Sequence, residues 1–325
     1  MRILFVTSTR IGDAVLSTGL LRHLVNRHPH ARITVACGPA PASLFDTVPG
    51  LDRVIVMRKA PRAGHWRSLW RACIGTKWDL VVDLRRSPIT KLLIHKQRHV
   101  LPKLAEDRRH KVVSLGALLS LDPPPAPHLW LSETAIAQAK HLLSLSHGPE
   151  TPLLGLGPAA NWFAKTWRSE RFAALTERLL SSEPRLAGAR VALFGAPEDQ
   201  EHTAPLVAHL RNSLGSDRVL DLVGTPPLPV VAACLAELDL YIGNDSGLMH
   251  TAAAVKTPCV GLFGPSRDEH YAPWGDTGLA VRTPESYEAL LGPNYDWRNP
   301  QPMMDSLTVD AAEAGVKELL NRLKS

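Results

Sequence analysis

Four short segments of the chain combine side chains that do chemistry with small residues that let a ligand come close. The first is Arg10-Ile-Gly-Asp13. Gly12 permits a tight turn there. Asp13 can cap the following helix by accepting a backbone N–H bond, or act as a general base that takes a proton from an attacking hydroxyl. The G-x-G-x-x-G fingerprint of dinucleotide binding is absent. The second segment is Pro158–Trp167 (PAANWFAKTW), in which Lys165 is the only lysine between Lys140 and Lys256 and Asn161 adds an amide donor. A lysine and an amide in one loop suit a phosphate group, while a solvated lysine is the plainer alternative. Trp162 and Trp167 read as packing residues. The third is Gly243–His250 (GNDSGLMH), where small residues lead into a helix whose first N–H groups point outward, a geometry that binds anions. Ser246 and Gly247 allow a diphosphate to approach, Asp245 can cap the helix or hold a sugar hydroxyl, and His250 reads as a ligand contact near the first turn. The fourth is Phe194–Asp199 (FGAPED), where Glu198 or Asp199 can reach a ribose hydroxyl or simply cap a surface turn.

Each of these segments follows a strand-like run. Arg2–Thr7 is a short apolar stretch, followed by Ala14, Val15, Leu20, Leu21, Leu24 and Val25 at helical spacing. Further strands are expected at Arg32–Cys37, Arg53–Met57 and Asp79–Leu84, alternating with helices or loops. After Pro123–Pro127 (PPPAP) and a helical stretch at about 132–145, His147–Pro152 (HGPETP) reads as a linker. A second alternating series then has strands near Leu153–Leu156, Val191–Phe194, Val219–Leu222, Leu238–Ile242 and Cys259–Phe263. Such alternation implies α/β architecture with parallel sheets. The expected organisation is therefore two Rossmann-like, doubly wound domains, 1–147 and 152–305. A final amphipathic helix within 306–325 is expected to pack back toward the first. Ligands of such sheets bind beyond the carboxyl ends of strands, where the four segments lie.

At 325 residues, with 45% hydrophobic and 21% charged side chains, the chain is long enough for two well-packed domains and too apolar for a disordered one. Cys37, Cys73, Cys234 and Cys259 are far apart with no C-x-x-C pair, which argues against a zinc site or a disulfide framework and fits a reducing cytoplasm. No apolar run approaches the ~18 residues of a membrane span, and the N-terminus enters a strand where a secretory signal would stand. The net charge of +6 hides an asymmetry. Residues 1–150 hold 22 Lys and Arg against 10 Asp and Glu, and residues 151–325 hold 15 against 21. The first half is thus +12 and the second −6. Residues 53–111 alone hold 16 basic and 4 acidic side chains, which points to nucleic acid, an anionic membrane surface or a phosphorylated substrate. No helix-turn-helix, zinc-finger or RNP pattern supports the first of these. Within the basic stretch Trp66, Leu69, Trp70 and Cys73 share one helical face beside Arg67 and Arg71. That face can dock on its own sheet or lie in a membrane interface.

Three of these features together resemble glycosyltransferase family 9, the ADP-heptose:lipopolysaccharide heptosyltransferases. They are R-I-G-D-A-V-L-S-T after the first strand, W-D-L-V-V-D-L at 78–84, and N-D-S-G-L-M-H followed by A-A-A and L-F-G-P. The resemblance runs from residue 1 to about 275. It implies a GT-B architecture, with two Rossmann-like domains facing across a cleft, the acceptor on the first and the nucleotide-sugar donor on the second. It also implies an inverting transfer with Asp13 as base beside Arg10 and Gly12. Lys165 would lie on the donor phosphate, and Asn161, Asp199, Asp245, Ser246, Gly247 and His250 would hold the rest of the donor. Family members often carry Thr where this chain has Asn161 and Glu where it has Asp199, which leaves the donor sugar less determined than the reaction. No Asp-x-Asp tripeptide exists in the chain. The expectation is therefore a metal-independent enzyme without cofactor, cytoplasmic or peripheral on the inner membrane, moving a heptose from ADP-heptose to a phosphorylated lipid-linked or core-oligosaccharide acceptor. A transferase with another nucleotide-sugar donor, or a GT-B-like nucleotide-sugar epimerase, is the alternative.

Overall fold

The computed structural model describes residues 1–103, 108–144, 151–292, 295–296 and 301–324, and the chain divides into two compact units, Met1–Ser132 and Glu133–Ser325. The first unit contains β1 (Arg2–Val6), α1 (Ile11–Leu16), α2 (Thr18–Arg27), β2 (Arg32–Cys37), β3 (Leu51–Val56), α3 (Gly64–Cys73), β4 (Trp78–Asp83), β5 (His95–Val100) and α4 (Lys111–Ala117). Its sheet runs β3-β2-β1-β4-β5 with every ladder parallel. The apolar run of β1 supplies both faces of this sheet, because successive side chains alternate. Ile3 and Phe5 join Leu20, Leu21 and Leu24 of α2 in one core. Leu4 and Val6 join Leu69 and Cys73 of α3 in the other, with Trp66 packed against it. That settles most of the amphipathic face in favour of docking on its own sheet, and leaves Trp70 36% exposed. The basic edge strand β5 (HKQRHV) is an addition to the sequence reading.

The second unit contains α5 (Glu133–Ser144), β6 (Leu153–Gly157), α6 (Ser169–Ser182), β7 (Arg190–Leu193), α7 (Gln200–Leu214), β8 (Val219–Asp221), α8 (Leu228–Ala236), β9 (Leu240–Asn244), α9 (Gly247–Ala254), β10 (Cys259–Phe263), α10 (Asp268–Tyr271), β11 (Gly278–Arg282), α11 (Tyr287–Leu290) and α12 (Val309–Arg322). Its sheet, β11-β10-β9-β6-β7-β8, is also parallel throughout. Both orders reverse direction beside the unit's first strand, the doubly wound pattern expected.

One boundary differs from the expectation. The break falls at 132/133, before α5. The apolar stripe Ala135, Ala139 and Leu143 is buried, and α5 packs on α8 of the second unit. Residues 147–150 of the expected linker lie outside the described residues. The final helix α12 packs on α6, β10 and β11 of its own unit. Ala312, Val316, Leu319 and Leu320 share a core with Leu154, Leu240 and Leu262. The approach is close enough that a Cβ on Gly315 would lie 2.2 Å from Val281 Cγ2.

All four cysteines are buried and free. Burial raises the thiol of Cys73 to about 11 and those of Cys37 and Cys234 to about 12, with Asp46 adding to the effect at Cys37, and moves Cys259 up further still. Thiolate is the reactive form. The native protein is therefore expected to release no thionitrobenzoate from Ellman's reagent at pH 8, and the unfolded chain to release four equivalents. A prompt native equivalent would show that one cysteine is accessible.

Candidate active site

Where the strand order reverses, two carboxyl ends lie side by side and their loops leave in opposite directions. In the first unit these ends belong to β1 and β4, with Val6 opposite Asp83. In the second they belong to β6 and β9, with Gly157 opposite Gly243. The Asp13 segment follows β1, the Lys165 segment follows β6, and Asp245 directly follows β9. The sequence-predicted residues therefore occupy the openings that parallel sheets create for ligands.

The second unit's opening is built around Asn244, the fully buried last residue of β9. Its Nδ2 donates to Pro158 O at 2.8 Å, and its Oδ1 accepts from the Trp167 N–H at 3.1 Å. One side chain thus clamps both ends of the loop that carries Lys165. Trp167, itself buried, anchors the exit by donating its indole N–H to Leu307 O at 2.9 Å. Between these clamps a single 3-10 turn, Phe163–Lys165, directs Lys165 onto Asp245, and the two form an ion pair across 80 residues of sequence. The Lys165 side chain keeps 20% exposure, whereas Asp245 is almost fully buried. His250 Nε2 stands 3.7 Å from the other Asp245 oxygen, and its ring meets Tyr271 edge-on at 6.2 Å.

Asp245 does not cap α9, as one reading of the sequence allowed. Ser246 takes the N-cap position with extended backbone, and Gly247 is the first helical residue. The Asp245 carboxylate is thereby available to Lys165, while the first N–H groups of α9 have no intrahelical acceptor. The close approach here rests on Tyr241, whose buried ring spans two glycines. A Cβ on Gly157 would fall 1.8 Å from its hydroxyl, and one on Gly243 would fall 2.6 Å from it. Burial raises the Tyr241 phenol above its usual pKa, with Ser246 opposing the shift.

The other predicted residues are placed less tightly. Asp199 accepts the Ala196 N–H at 2.8 Å, so its carboxylate serves the turn after β7. The Lys165 loop reaches the start of α7, just beyond Asp199, where Phe163 meets His202 at 6.4 Å. Asn161 is exposed on the same loop, and Trp162 packs edge-on against Tyr295 at 5.9 Å. In the first unit Asp13 sits in the first turn of α1 behind an N-cap at Arg10, so it is not itself the cap. A carboxylate there is favoured by the helix dipole. Gly12 lies inside that turn and not among the glycines with positive φ. Arg10 is exposed beside it.

Residues 66–290 match the model of glycosyltransferase family 9 (heptosyltransferase). This stretch includes Asn161, Lys165, Asp199 and Asp245–His250, while Arg10, Gly12 and Asp13 precede it. Lipopolysaccharide heptosyltransferase 2 of Salmonella typhimurium is 26% identical over 320 residues, covering 89% of this chain and 90% of that protein. Among solved structures, a family 9 glycosyltransferase from Veillonella parvula superposes with a TM-score of 0.80 at 23% identity, covering 100% of this chain and 98% of the other. The E. coli ADP-heptose lipopolysaccharide heptosyltransferase II superposes with 0.76 at 23% identity, both chains being fully covered.

Replacing Asn244 by Ala removes both clamps and leaves a buried carbonyl and a buried N–H without their partner. The expected loss is about 2–4 kcal/mol of folding stability, read from urea unfolding. A variant as stable as the parent would show that the loop is held elsewhere.

Proposed function

Since the chain belongs to glycosyltransferase family 9, the heptosyltransferases, and is a glycosyltransferase, we propose that it moves a heptose from ADP-heptose to a lipopolysaccharide-core acceptor with inversion and without a metal ion. Its two Rossmann-like units have the GT-B fold of the solved relatives. The observation that carries the reading is the convergence of Lys165, Asp245 and the start of α9 on the switch point of the second sheet. An ammonium and outward N–H groups suit the two negative phosphates of a nucleotide sugar. On this reading Asp245 and His250 hold the donor's hydroxyls, and Asn161 and Asp199 contribute further donor contacts.

In the proposed reaction Asp13 accepts the proton of the acceptor hydroxyl, whose oxygen attacks the anomeric carbon of the donor. The new glycosidic C–O bond forms as the bond to the diphosphate breaks on the opposite face, which inverts the centre. Electrons leave with the diphosphate, and Lys165 together with the N–H groups of α9 stabilises the charge that develops there. These groups replace the metal that an Asp-x-Asp motif holds in other transferases. The family resemblance assigns the acceptor to the first unit, and the basic charge there suits a phosphorylated acceptor. Trp70, at 36% exposure, Ile74, Leu92, at 70%, and Ile94, at 60%, stand out of that basic stretch, and support peripheral contact with an anionic membrane on the cytoplasmic side. Among the described residues no helix is long and apolar enough to cross a membrane.

Asp13→Asn is expected to lower kcat by roughly 10²–10⁴-fold with donor affinity unchanged, while Lys165→Ala weakens donor binding and also slows turnover. An active Asp13→Asn enzyme removes the assigned base. Turnover of ADP-heptose is expected to persist in excess EDTA, and loss that Mg²⁺ restores would refute the metal-free mechanism. Sedimentation with anionic liposomes is expected to weaken as salt rises. Binding indifferent to salt would dismiss the basic stretch as the contact.

A further inference from the structure

The switch point of the first sheet contains a guanidinium that the described residues leave without a hydrogen bond. Asp83 ends β4 fully buried. Its Oδ1 accepts the Arg85 N–H at 3.0 Å, and its Oδ2 accepts the Ser87 N–H at 2.7 Å and the Thr90 hydroxyl at 2.6 Å. Arg98 Nε donates to that hydroxyl at 3.1 Å in turn. The carboxylate is therefore committed to shaping the turn after β4, where Arg86 adopts a left-handed backbone angle of 54°. It is not bonded to the Arg85 side chain. Among the described residues the Arg85 guanidinium makes no hydrogen bond or ion pair, and its Nη1 is buried without a partner. The group is held 5.2 Å above the Trp66 ring. Burial lowers its pKa from the usual arginine value, with the nearby charges of Asp83 and Asp13 opposing this. An arginine remains charged in such a setting, and a buried charged donor is costly to leave unbonded. The face of the guanidinium is used by the indole, which leaves its edge to be filled.

We propose that Arg85 binds an anionic substituent of the acceptor, a carboxylate or a phosphate, and so fixes which acceptor hydroxyl stands at Asp13. Assigning the anion to the acceptor rests on the reading of Asp13 as the base. The existence of the anion site rests on the geometry around Arg85 alone. A planar guanidinium recognises such oxyanions through paired N–H bonds, and the Trp66 indole beside it offers an apolar wall to a sugar ring. On the proposed function the donor's phosphates are assigned to the second unit, and the anion at Arg85 is proposed as an additional one.

The test uses the full-length protein labelled with ¹⁵N at tryptophan, the Trp66 indole signal being assigned from Trp66→Phe. Glucuronate, glucose 6-phosphate and glucose are titrated separately into the tens of millimolar. One or both anionic sugars are expected to shift the Trp66 signal saturably while glucose does not, and the tighter of the two identifies carboxylate or phosphate as the preferred group. Arg85→Gln is expected to weaken that binding roughly tenfold or more, with Arg85→Lys intermediate. ADP affinity, unchanged in both variants, shows that they are folded. If Arg85→Gln does not keep its ADP affinity, the comparison of Arg85→Lys with the parent decides. No response to either anionic sugar, an equal response to glucose, or undiminished binding by the folded variants overturns the proposal. Because no turnover is measured, absence of heptosyl transfer would sink the functional reading and leave this site standing.

Discussion

Parallel pairing is the constraint from which the rest of this molecule follows. Every ladder in both sheets is parallel, so no strand can return by a hairpin and each needs a crossover. All carboxyl ends of a sheet then fall on one edge, and the loops leaving them gather there. The crossovers run outward from β1 and from β6 first to one side and then to the other. At that reversal neighbouring loops part, and the chain places Asp13 and Arg85 at one reversal and Lys165 and Asp245 at the other.

The two reversals are finished by the same device, with chemistry adapted to each. Asp83 and Asn244 are the last residues of β4 and β9, and both are fully buried. Each lies on the strand that neighbours the unit's first strand and uses its side chain to fix a loop. Asp83 faces only donors, two N–H groups and a hydroxyl, which an ionised carboxylate satisfies as acceptor. Asn244 faces one carbonyl and one N–H, which require a donor and an acceptor in the same side chain. Exchanging the two residues would leave a like pole against a like pole in each place. Buried polar groups of this kind are stable only when every bond is made, so each loop is held in one conformation.

The legible parts of the sequence were those governed by local pattern. The inner strands β1, β2, β4, β6, β7, β9 and β10 are apolar because both faces are covered, and the sequence pattern places them within a few residues. Of the four edge strands, β3 and β8 keep an apolar signal in RVIV and VLDL, whereas β5 and β11 do not stand out. HKQRHV carries the polarity of a surface segment, and GLAVR is part-exposed along its length. An amphipathic stripe shows that a helix docks without showing where, which is why the sequence pattern leaves α5 with the first unit while its stripe packs on α8 of the second. The same limit applied to the site. Lys165 and Asp245 were conspicuous by residue type, but their pairing depends on a clamp that sequence cannot display. Asn244 did leave a signal, being the only polar side chain in LYIGN apart from the Tyr241 hydroxyl. Arg85 was read only as one charge in a basic stretch, and its significance comes from what Asp83 does not do for it.

The pairing of Lys165 with Asp245 bears on how a donor would be received. An unpaired ammonium in a half-buried loop loses hydration without return, and a lone buried carboxylate loses more. Joined, the two stabilise each other and hold the lysine close to the N-terminus of α9 before any ligand arrives. On the proposed function a diphosphate then takes over the ammonium, so the energy of the new bonds is reduced by that of the pair it disrupts. Asp245 is left with His250 beside it and a free acceptor oxygen, which a sugar hydroxyl can occupy. A neutral ligand of the same shape would have to break the pair without replacing the anion, whereas a nucleotide diphosphate-sugar supplies both the anion for Lys165 and the hydroxyls for Asp245. On that function, selectivity for a charged donor resides in the resting ion pair as much as in the contacts made to the ligand.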